Sequence, residues 1–144
     1  MEASPELRKA QTQRLSLPRG RGETILVVDD EASILTITSQ TLQAFGYRVL
    51  RATDGAEALS VYAAHKNEIA VVLTDMMMPV LDGRGFIRAL RRMNPSVNII
   101  AASGVTAEGA VAKATQAGVK FFLSKPYTAE TLLKTLQECL HQPE

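Results

Sequence analysis

Three aspartates that follow apolar runs are the first candidates for chemistry in this sequence. Asp29 and Asp30 come directly after the run TILVV, and Asp75 comes directly after AVVLT. If these side chains meet, two carboxylates about 5 Å apart repel each other by roughly 3 kcal/mol at an effective dielectric constant of about 20. A cation is therefore expected beside them. Oxygen ligands without histidine or cysteine favour a hard cation, and a site with few carboxylates and room for water suits Mg²⁺.

A hydroxyl group and an ammonium group follow two later apolar runs. Ser103 comes after NIIAA, and Lys125 comes after FFLS. Pro126 disfavours helix at the preceding lysine, which helps to present Lys125 in an extended turn. A phosphoryl group is bound by a metal ion, a positively charged side chain and a hydrogen-bond donor that lie close together. The aspartates, Lys125 and Ser103 could supply these three features.

Each of these residues, taken alone, also has an ordinary structural explanation. Strand-end aspartates often cap the next helix or begin a turn, and Ser103 and Lys125 could be solvated loop residues. Three acids at strand ends favour a ligand site over that explanation, because clusters of titratable groups concentrate at functional sites.

Short apolar or β-branched runs predict the strands that would position these groups. They cover residues 24–28, 47–52, 69–74, 98–102 and 121–124. Stretches of helical periodicity alternate with them: one ends at Gly46, one follows Gly55, one is opened by Asp82 and closes before Pro95, one covers 106–117, and one starts at Thr128. This alternation predicts an α/β fold with a parallel sheet covered by helices on both faces.

The predicted sheet would bring the aspartates together. In open α/β sheets, ligands bind outside the carboxyl ends of the strands, at the point where the strand order reverses. For the doubly wound order 2-1-3-4-5 that point lies between the first and third strands. Asp29 and Asp30 follow the first of these strands, and Asp75 follows the third.

The overall composition excludes several classes of function. Sixteen basic and fifteen acidic residues give a net charge of +1, which argues against nucleic-acid binding by this chain. A single cysteine, Cys139, cannot form an internal disulfide and suits a reducing cytoplasm. No apolar run approaches the roughly 18 residues of a membrane span, so we expect no membrane insertion.

The first residues differ in composition from the rest. Residues 1–23 contain prolines, glycines and scattered charges with few large apolar side chains, which is typical of a flexible linker or tail. We therefore expect one domain over residues 24–142.

Over residues 24–141 the sequence resembles the receiver domain of two-component response regulators. The resemblance is carried by DDE at 29–31, DMMMPVLDG at 75–83, ASG at 102–104 and KP at 125–126. It implies a flavodoxin-like (βα)5 doubly wound sandwich with a parallel five-stranded sheet of order 2-1-3-4-5. It also implies phosphorelay signalling, in which the domain accepts a phosphoryl group and switches conformation for a downstream partner.

The resemblance assigns a role to each candidate residue. Asp75 would be the phosphoacceptor, Lys125 would pair with a phosphoryl oxygen, and Ser103 would donate a hydrogen bond to another. For Mg²⁺ it implies direct binding by Asp30 and Asp75, binding by Asp29 through water, and binding by the backbone carbonyl of Met77. Ser103 and Phe122 would form the conformational switch, although the family often has tyrosine where this chain has Phe122.

The implied partners are a histidine kinase or a histidine phosphotransfer protein. The segment GRGETILVVDDE resembles the joint before the C-terminal receivers of hybrid histidine kinases, so a stand-alone protein and a domain of a larger chain both remain open. The oligomeric state also remains open. Two other functions compete: a haloacid dehalogenase-type Mg²⁺-dependent phosphatase, which would want an aspartate at Met77, and a pseudo-receiver that binds partners without phosphorylation.

Two apolar residues predict a long-lived phosphorylated form. Met77, two residues after the acceptor, and Val105, two residues after Ser103, occupy positions that tune dephosphorylation in the family. Because neither side chain can orient an attacking water, we expect slow hydrolysis of phospho-Asp75. Loss of phosphate followed in the presence of Mg²⁺ tests this, and a half-life of seconds or less would contradict it.

Overall fold

The computed structural model of the chain describes residues 17–76, 83–104 and 118–141. Within these ranges there are five strands: β1 (Thr24–Val28), β2 (Arg48–Ala52), β3 (Ile69–Asp75), β4 (Ile99–Ser103) and β5 (Phe121–Ser124). They form one sheet of order β2-β1-β3-β4-β5 in which every pairing is parallel. The predicted fold class and strand order are therefore confirmed.

Within the described residues, a helix follows each of β1, β2, β3 and β5. The described residues contain α1 (Ala32–Ala44), α2 (Gly55–His65), α3 (Gly83–Met93) and α4 (Ala129–Leu140). The helix predicted over 106–117 and its neighbour Val105 lie outside the described residues, as does the predicted N-cap Asp82. None of the helices in the described part is long and apolar enough to cross a bilayer.

Strand and helix boundaries differ from the predicted ones by one residue in places, for local reasons. Tyr47 lies outside β2, because its N–H donates to the carbonyl of Leu42 and closes the end of α1. Asp75 and Ser103 are the last residues of β3 and β4 instead of the first residues beyond them. The strand ladder therefore fixes the backbone of both residues.

Two hydrophobic clusters lie on opposite faces of the sheet. Leu26 and Val28 of β1 belong to a cluster with residues of α2 and α3, whereas Ile25 and Val27 belong to one with residues of α1 and α4. This alternation follows from the two-residue repeat of a strand, and burial on both faces explains the continuous apolar runs. Cys139 is fully buried in the second cluster.

The end of the predicted tail lies against the domain. We call residues 17–23 the N-terminal strap. Gly20 and Gly22 donate their N–H groups to the carbonyls of Phe45 and Gly46 at 2.6 and 2.8 Å, and the Arg19 guanidinium lies 5.2 Å from the centre of the Phe45 ring. Residues 1–16 lie outside the described part, so the linker role of residues 1–23 stays a prediction.

The strap depends on a glycine at its closest approach to the domain. A Cβ atom at Gly20 would lie 2.5 Å from a ring carbon of Tyr47. We therefore expect Gly20→Val to lower the free energy of unfolding by about 1–3 kcal/mol, the usual cost of overpacking, as measured by urea denaturation. Gly104→Ala is the matched control, because a Cβ there would contact nothing within 4 Å. Equal stability of Gly20→Val and the control would contradict a docked strap.

Candidate functional site

The carboxyl ends of β1 and β3 bring the three aspartates together. Val28 pairs with Thr74 in the ladder, so Asp29 and Asp75, the next residues, lie side by side. One carboxylate oxygen from each of Asp29, Asp30 and Asp75 lies within 4.8 Å of the other two. Asp29 and Asp75 are only 3% and 4% exposed, whereas Asp30 is exposed. The predicted convergence of these residues is therefore observed.

Lys125 supplies a cation between the two buried carboxylates. Its Nζ lies 2.7 Å from Oδ2 of Asp29 and 3.2 Å from Oδ2 of Asp75. The lysine side chain is 12% exposed. Its backbone N–H donates to the carbonyl of Ser103 at 2.7 Å, which ties the residue after β5 to the end of β4. The ammonium thus partly offsets the repulsion that the sequence predicts.

Opposing effects act on the pKa of Lys125. Burial lowers this pKa, but the hydrogen bond to Asp29, the charges of Asp75 and Asp29, and the hydrogen bond to Asp75 raise it. Together they outweigh burial, so the pKa lies above its ordinary value of 10.5. Lys125 is therefore a fixed positive charge at physiological pH.

Ser103 and Phe122, the two predicted switch residues, lie on adjacent strands of the sheet. Ser103 ends β4 and is 5% exposed, and its strand neighbour Ala102 pairs with Asp75. Phe122 is partly buried against the cluster beneath α2 and α3, whereas Phe121 packs against the opposite cluster. The structure thus places Ser103 at the rim of the site and Phe122 on the adjacent strand. Met77 lies outside the described residues.

The capping explanation for the acids fits the structure less well than a ligand site. The N-cap residue of α1 is Glu31, whose side chain makes no capping hydrogen bond. Asp29 does accept a hydrogen bond from the N–H of Glu31 at 2.9 Å, through Oδ1. Its other oxygen is the one that binds Lys125. The backbone therefore orients Asp29 and leaves one oxygen directed at the site.

Sequence reasoning missed two features around the site. Glu31, the third residue of the DDE motif, has a carboxylate oxygen 4.0 Å from the ammonium of Lys125. The hydroxyl of Tyr127 lies 2.9 Å from that of Thr38 on α1. The motif itself could have indicated Glu31, but no local pattern relates two residues 89 positions apart.

The donor set fits Mg²⁺. The three carboxylates offer only oxygen ligands, two from buried side chains and one from the exposed Asp30, and few charged oxygens with access to water suit this ion. The arrangement can therefore hold a hard cation and an anionic group at the same edge of the sheet.

Comparisons with known proteins agree on one family. Residues 25–137 match the model of the response regulator receiver domain. The chain is 36% identical over 122 residues to the sensor kinase CckA of Brucella abortus, covering 84% of this chain and 13% of the kinase. It is also 36% identical over 123 residues to the probable transcriptional regulator ycf27 of Porphyridium aerugineum, covering 83% of this chain and 49% of that protein.

A solved structure shows the same similarity. The response regulator receiver domain protein from Clostridium thermocellum superposes with a TM-score of 0.79 at 32% identity, covering 83% of this chain and 94% of that one. By contrast, the chain spans less than half the length of the sensor kinase and the transcriptional regulator.

The buried position of Lys125 predicts a large effect of removing its charge. We expect Lys125→Met to lower the free energy of unfolding by roughly 3 kcal/mol, because it leaves two buried carboxylates without their cation. Lys134→Met is the matched control: its ammonium lies 2.7 Å from Glu130, but the two side chains are 58% and 62% exposed, so the loss should be about 0.5 kcal/mol.

The pH dependence of this effect has a definite sign. Because the folded-state pKa of Lys125 is raised, the stabilisation is complete below the ordinary lysine value of 10.5 and is lost as the pH rises through the folded-state pKa. Urea denaturation of wild type and Lys125→Met from neutral pH upwards tests this. The difference in free energy of unfolding between the two proteins should shrink as the pH rises through the folded-state pKa of Lys125. A difference that grows in that range would contradict the ion pair.

Proposed function

Because this chain belongs to the response regulator receiver domain family, we propose that Asp75 accepts a phosphoryl group from the phosphohistidine of a histidine kinase or a histidine phosphotransfer protein. One observation carries this assignment. Asp75 is 4% exposed at the end of β3, yet its carboxylate lies 3.2 Å from the ammonium of Lys125. A carboxylate held beside a fixed cation at the switch point of the sheet is placed to attack an anionic phosphoryl group.

The transfer is a nucleophilic substitution at phosphorus. A bond forms between an oxygen of Asp75 and phosphorus while the phosphorus–nitrogen bond of the phosphohistidine breaks, and the electron pair of that bond stays on the imidazole nitrogen. The protein supplies mainly position and charge. The product carries about −1.5 to −2 charges on its phosphate at pH 7, so Lys125 can exchange its contact with the Asp75 carboxylate for one with a phosphoryl oxygen.

Asp30 and Asp75 would bind Mg²⁺ directly, Asp29 through water, and the backbone carbonyl of Met77 would complete the protein ligands. When bound, the ion neutralises negative charge on the phosphoryl oxygens. Both oxygens of the buried Asp29 already have partners, the N–H of Glu31 and the ammonium of Lys125, which supports binding of the ion through water. The exposed Asp30 can bind the ion without a large desolvation cost.

Ser103 and Phe122 would pass the signal to the surface. The hydroxyl of Ser103 moves toward the phosphoryl group and donates a hydrogen bond to it, and Phe122 on the neighbouring strand turns inward behind it. Phe122 is only partly buried, so further burial is available to it. The phosphate drives this change only through its greater affinity for the switched conformation.

The domain boundaries belong to the same proposal. Residues 24–142 form the receiver, and residues 1–23 form a linker to a further part of a longer chain or a tail, whose end, the N-terminal strap, packs against the receiver. The similarity to part of a sensor kinase supports placement within a hybrid histidine kinase, and the similarity to part of a transcriptional regulator supports other arrangements. A histidine kinase as phosphodonor implies action in the cytoplasm.

Phosphorylation by a small phosphodonor tests the assignment. Incubation with acetyl phosphate and Mg²⁺ should add one phosphoryl group to the intact wild-type chain and none to Asp75→Asn, because the amide is not a nucleophile here. Asp54→Asn is the control, because Asp54 caps α2 through the N–H of Glu57 and asparagine is an equally good cap. It should be phosphorylated like wild type.

Two outcomes would contradict the proposal. Equal phosphorylation of Asp75→Asn would place the acceptor elsewhere. Turnover of acetyl phosphate without a lasting adduct, abolished in Asp75→Asn, would indicate a phosphatase instead.

A further inference from the structure

A hydrogen bond between Tyr127 and Thr38 lies close to the proposed phosphoacceptor site. We propose that Tyr127 and Thr38 are positioning residues for Lys125, and that their hydroxyl pair holds the loop carrying this lysine against α1. The functional part of this inference rests on the proposed phosphorylation of Asp75. The positional part rests on the following geometry alone.

The loop after β5 is held by contacts at two positions, Lys125 and Tyr127. At the lysine itself, the backbone N–H donates to Ser103 and the ammonium binds the two buried carboxylates. Two residues later, the Tyr127 ring packs against the cluster beneath α1 and α4, and its hydroxyl bonds to Thr38 at 2.9 Å. Thr128 then caps α4, which begins at Ala129, so the Tyr127 hydroxyl ties the loop to α1 just before the helix begins.

Thr38 anchors this loop to the element that follows the acids. Helix α1 begins at Ala32, directly after the DDE segment. Two neighbouring hydroxyls on α1 bond back to their own helix, Ser39 to the carbonyl of Leu35 and Thr41 to that of Ile37. Thr38, which is 3% exposed, instead reaches Tyr127. The bond therefore joins the segment bearing Asp29 to the segment bearing Lys125.

Burial and nearby charged groups shift the pKa of Tyr127. Burial is the main cause that raises the pKa of Tyr127; the hydrogen bond to Thr38 lowers it, the charge of Asp29 raises it, that of Lys125 lowers it and that of Asp75 raises it. The net direction is upward, so the phenol keeps its proton at physiological pH and can donate or accept.

A second tyrosine of the same chain allows the effect of the Tyr127–Thr38 hydrogen bond on Lys125 to be separated from a general effect of removing a tyrosine hydroxyl. Tyr62 is fully buried, whereas Tyr127 is half-buried, but its hydroxyl likewise takes part in one side-chain hydrogen bond, accepted from Asn94 at 3.1 Å. Tyr62 lies in the cluster on the opposite face of the sheet. Tyr127→Phe and Tyr62→Phe remove the same atom and one hydrogen bond each. Only the first change touches the loop of Lys125.

Chemical labelling of Lys125 tests the positional part without any phosphodonor. The folded protein is acetylated with a trace of an amine-reactive ester, and labelling at Lys125 is measured by mass spectrometry relative to the exposed Lys120 and Lys134. We expect Tyr127→Phe and Thr38→Val each to raise relative labelling of Lys125 about 3- to 10-fold, the range of one ordinary hydrogen bond. The double variant should resemble either single variant, and Tyr62→Phe should match wild type.

Phosphorylation kinetics test the functional part. With acetyl phosphate and saturating Mg²⁺, Tyr127→Phe and Thr38→Val should react about 3- to 10-fold more slowly than wild type, whereas Thr38→Ser, which keeps a hydroxyl, should restore most of the rate. The melting temperature of each variant is measured as well. A slower reaction in Tyr127→Phe than in Tyr62→Phe at a similar melting temperature shows that the loss of rate does not come from a general loss of stability.

The outcomes separate the two claims. Labelling of Lys125 that is unchanged in Tyr127→Phe and Thr38→Val, or raised equally in Tyr62→Phe, would overturn the inference while leaving phosphorylation of Asp75 intact. Altered labelling in a chain whose wild type is never phosphorylated would support the positional part and contradict the proposed function. Altered labelling with unchanged phosphorylation rates would overturn the functional part of the inference.

Discussion

The structure depends on one electrostatic constraint, the placement of two buried carboxylates beside a single ammonium group. Asp29 and Asp75 are nearly inaccessible to water, and Lys125 lies 2.7 and 3.2 Å from them. Buried charges of like sign are costly without a partner. A fold that places these acids together must also bring the lysine, and three different strands end at that point to do so. The same imbalance, more negative than positive groups, is what suits the site to a hard cation.

The architecture explains how residues so far apart in the chain meet. Strands β1 and β3 are neighbours because the sheet order reverses there, and their parallel register sets Asp29 beside Asp75. β4 and β5 extend the same edge, so Ser103 and Lys125 arrive from the other side. The two apolar clusters cover both faces of the sheet, which leaves its carboxyl edge, where β3 and β4 end in Asp75 and Ser103, as the part of the sheet open to a ligand.

Much of this arrangement could be predicted from the sequence because it follows from local periodicity and from one topological rule. The run TILVV specifies β1 almost by itself, and acids that follow two such runs must meet once the strand order is known. The docked strap and the Tyr127–Thr38 bond could not be predicted in this way. In the sequence, Gly20 is one of several glycines and prolines that are typical of a linker. Its close approach to the Tyr47 ring depends on tertiary packing. Likewise, a hydroxyl on a helix usually bonds to its own backbone, so nothing in the sequence marks Thr38 as different from Ser39.

The central claim is that Asp75 is the nucleophile that receives the phosphoryl group. Borohydride reduction of the phosphorylated chain tests it most directly, because hydride reduces an acyl phosphate to an alcohol and converts phosphoaspartate to homoserine at the position that carried the phosphate. Peptide sequencing by mass spectrometry should then find homoserine at position 75 and aspartate at 29 and 30. Homoserine at either of those two positions, or a phosphorylated chain that borohydride leaves unchanged, would contradict the account.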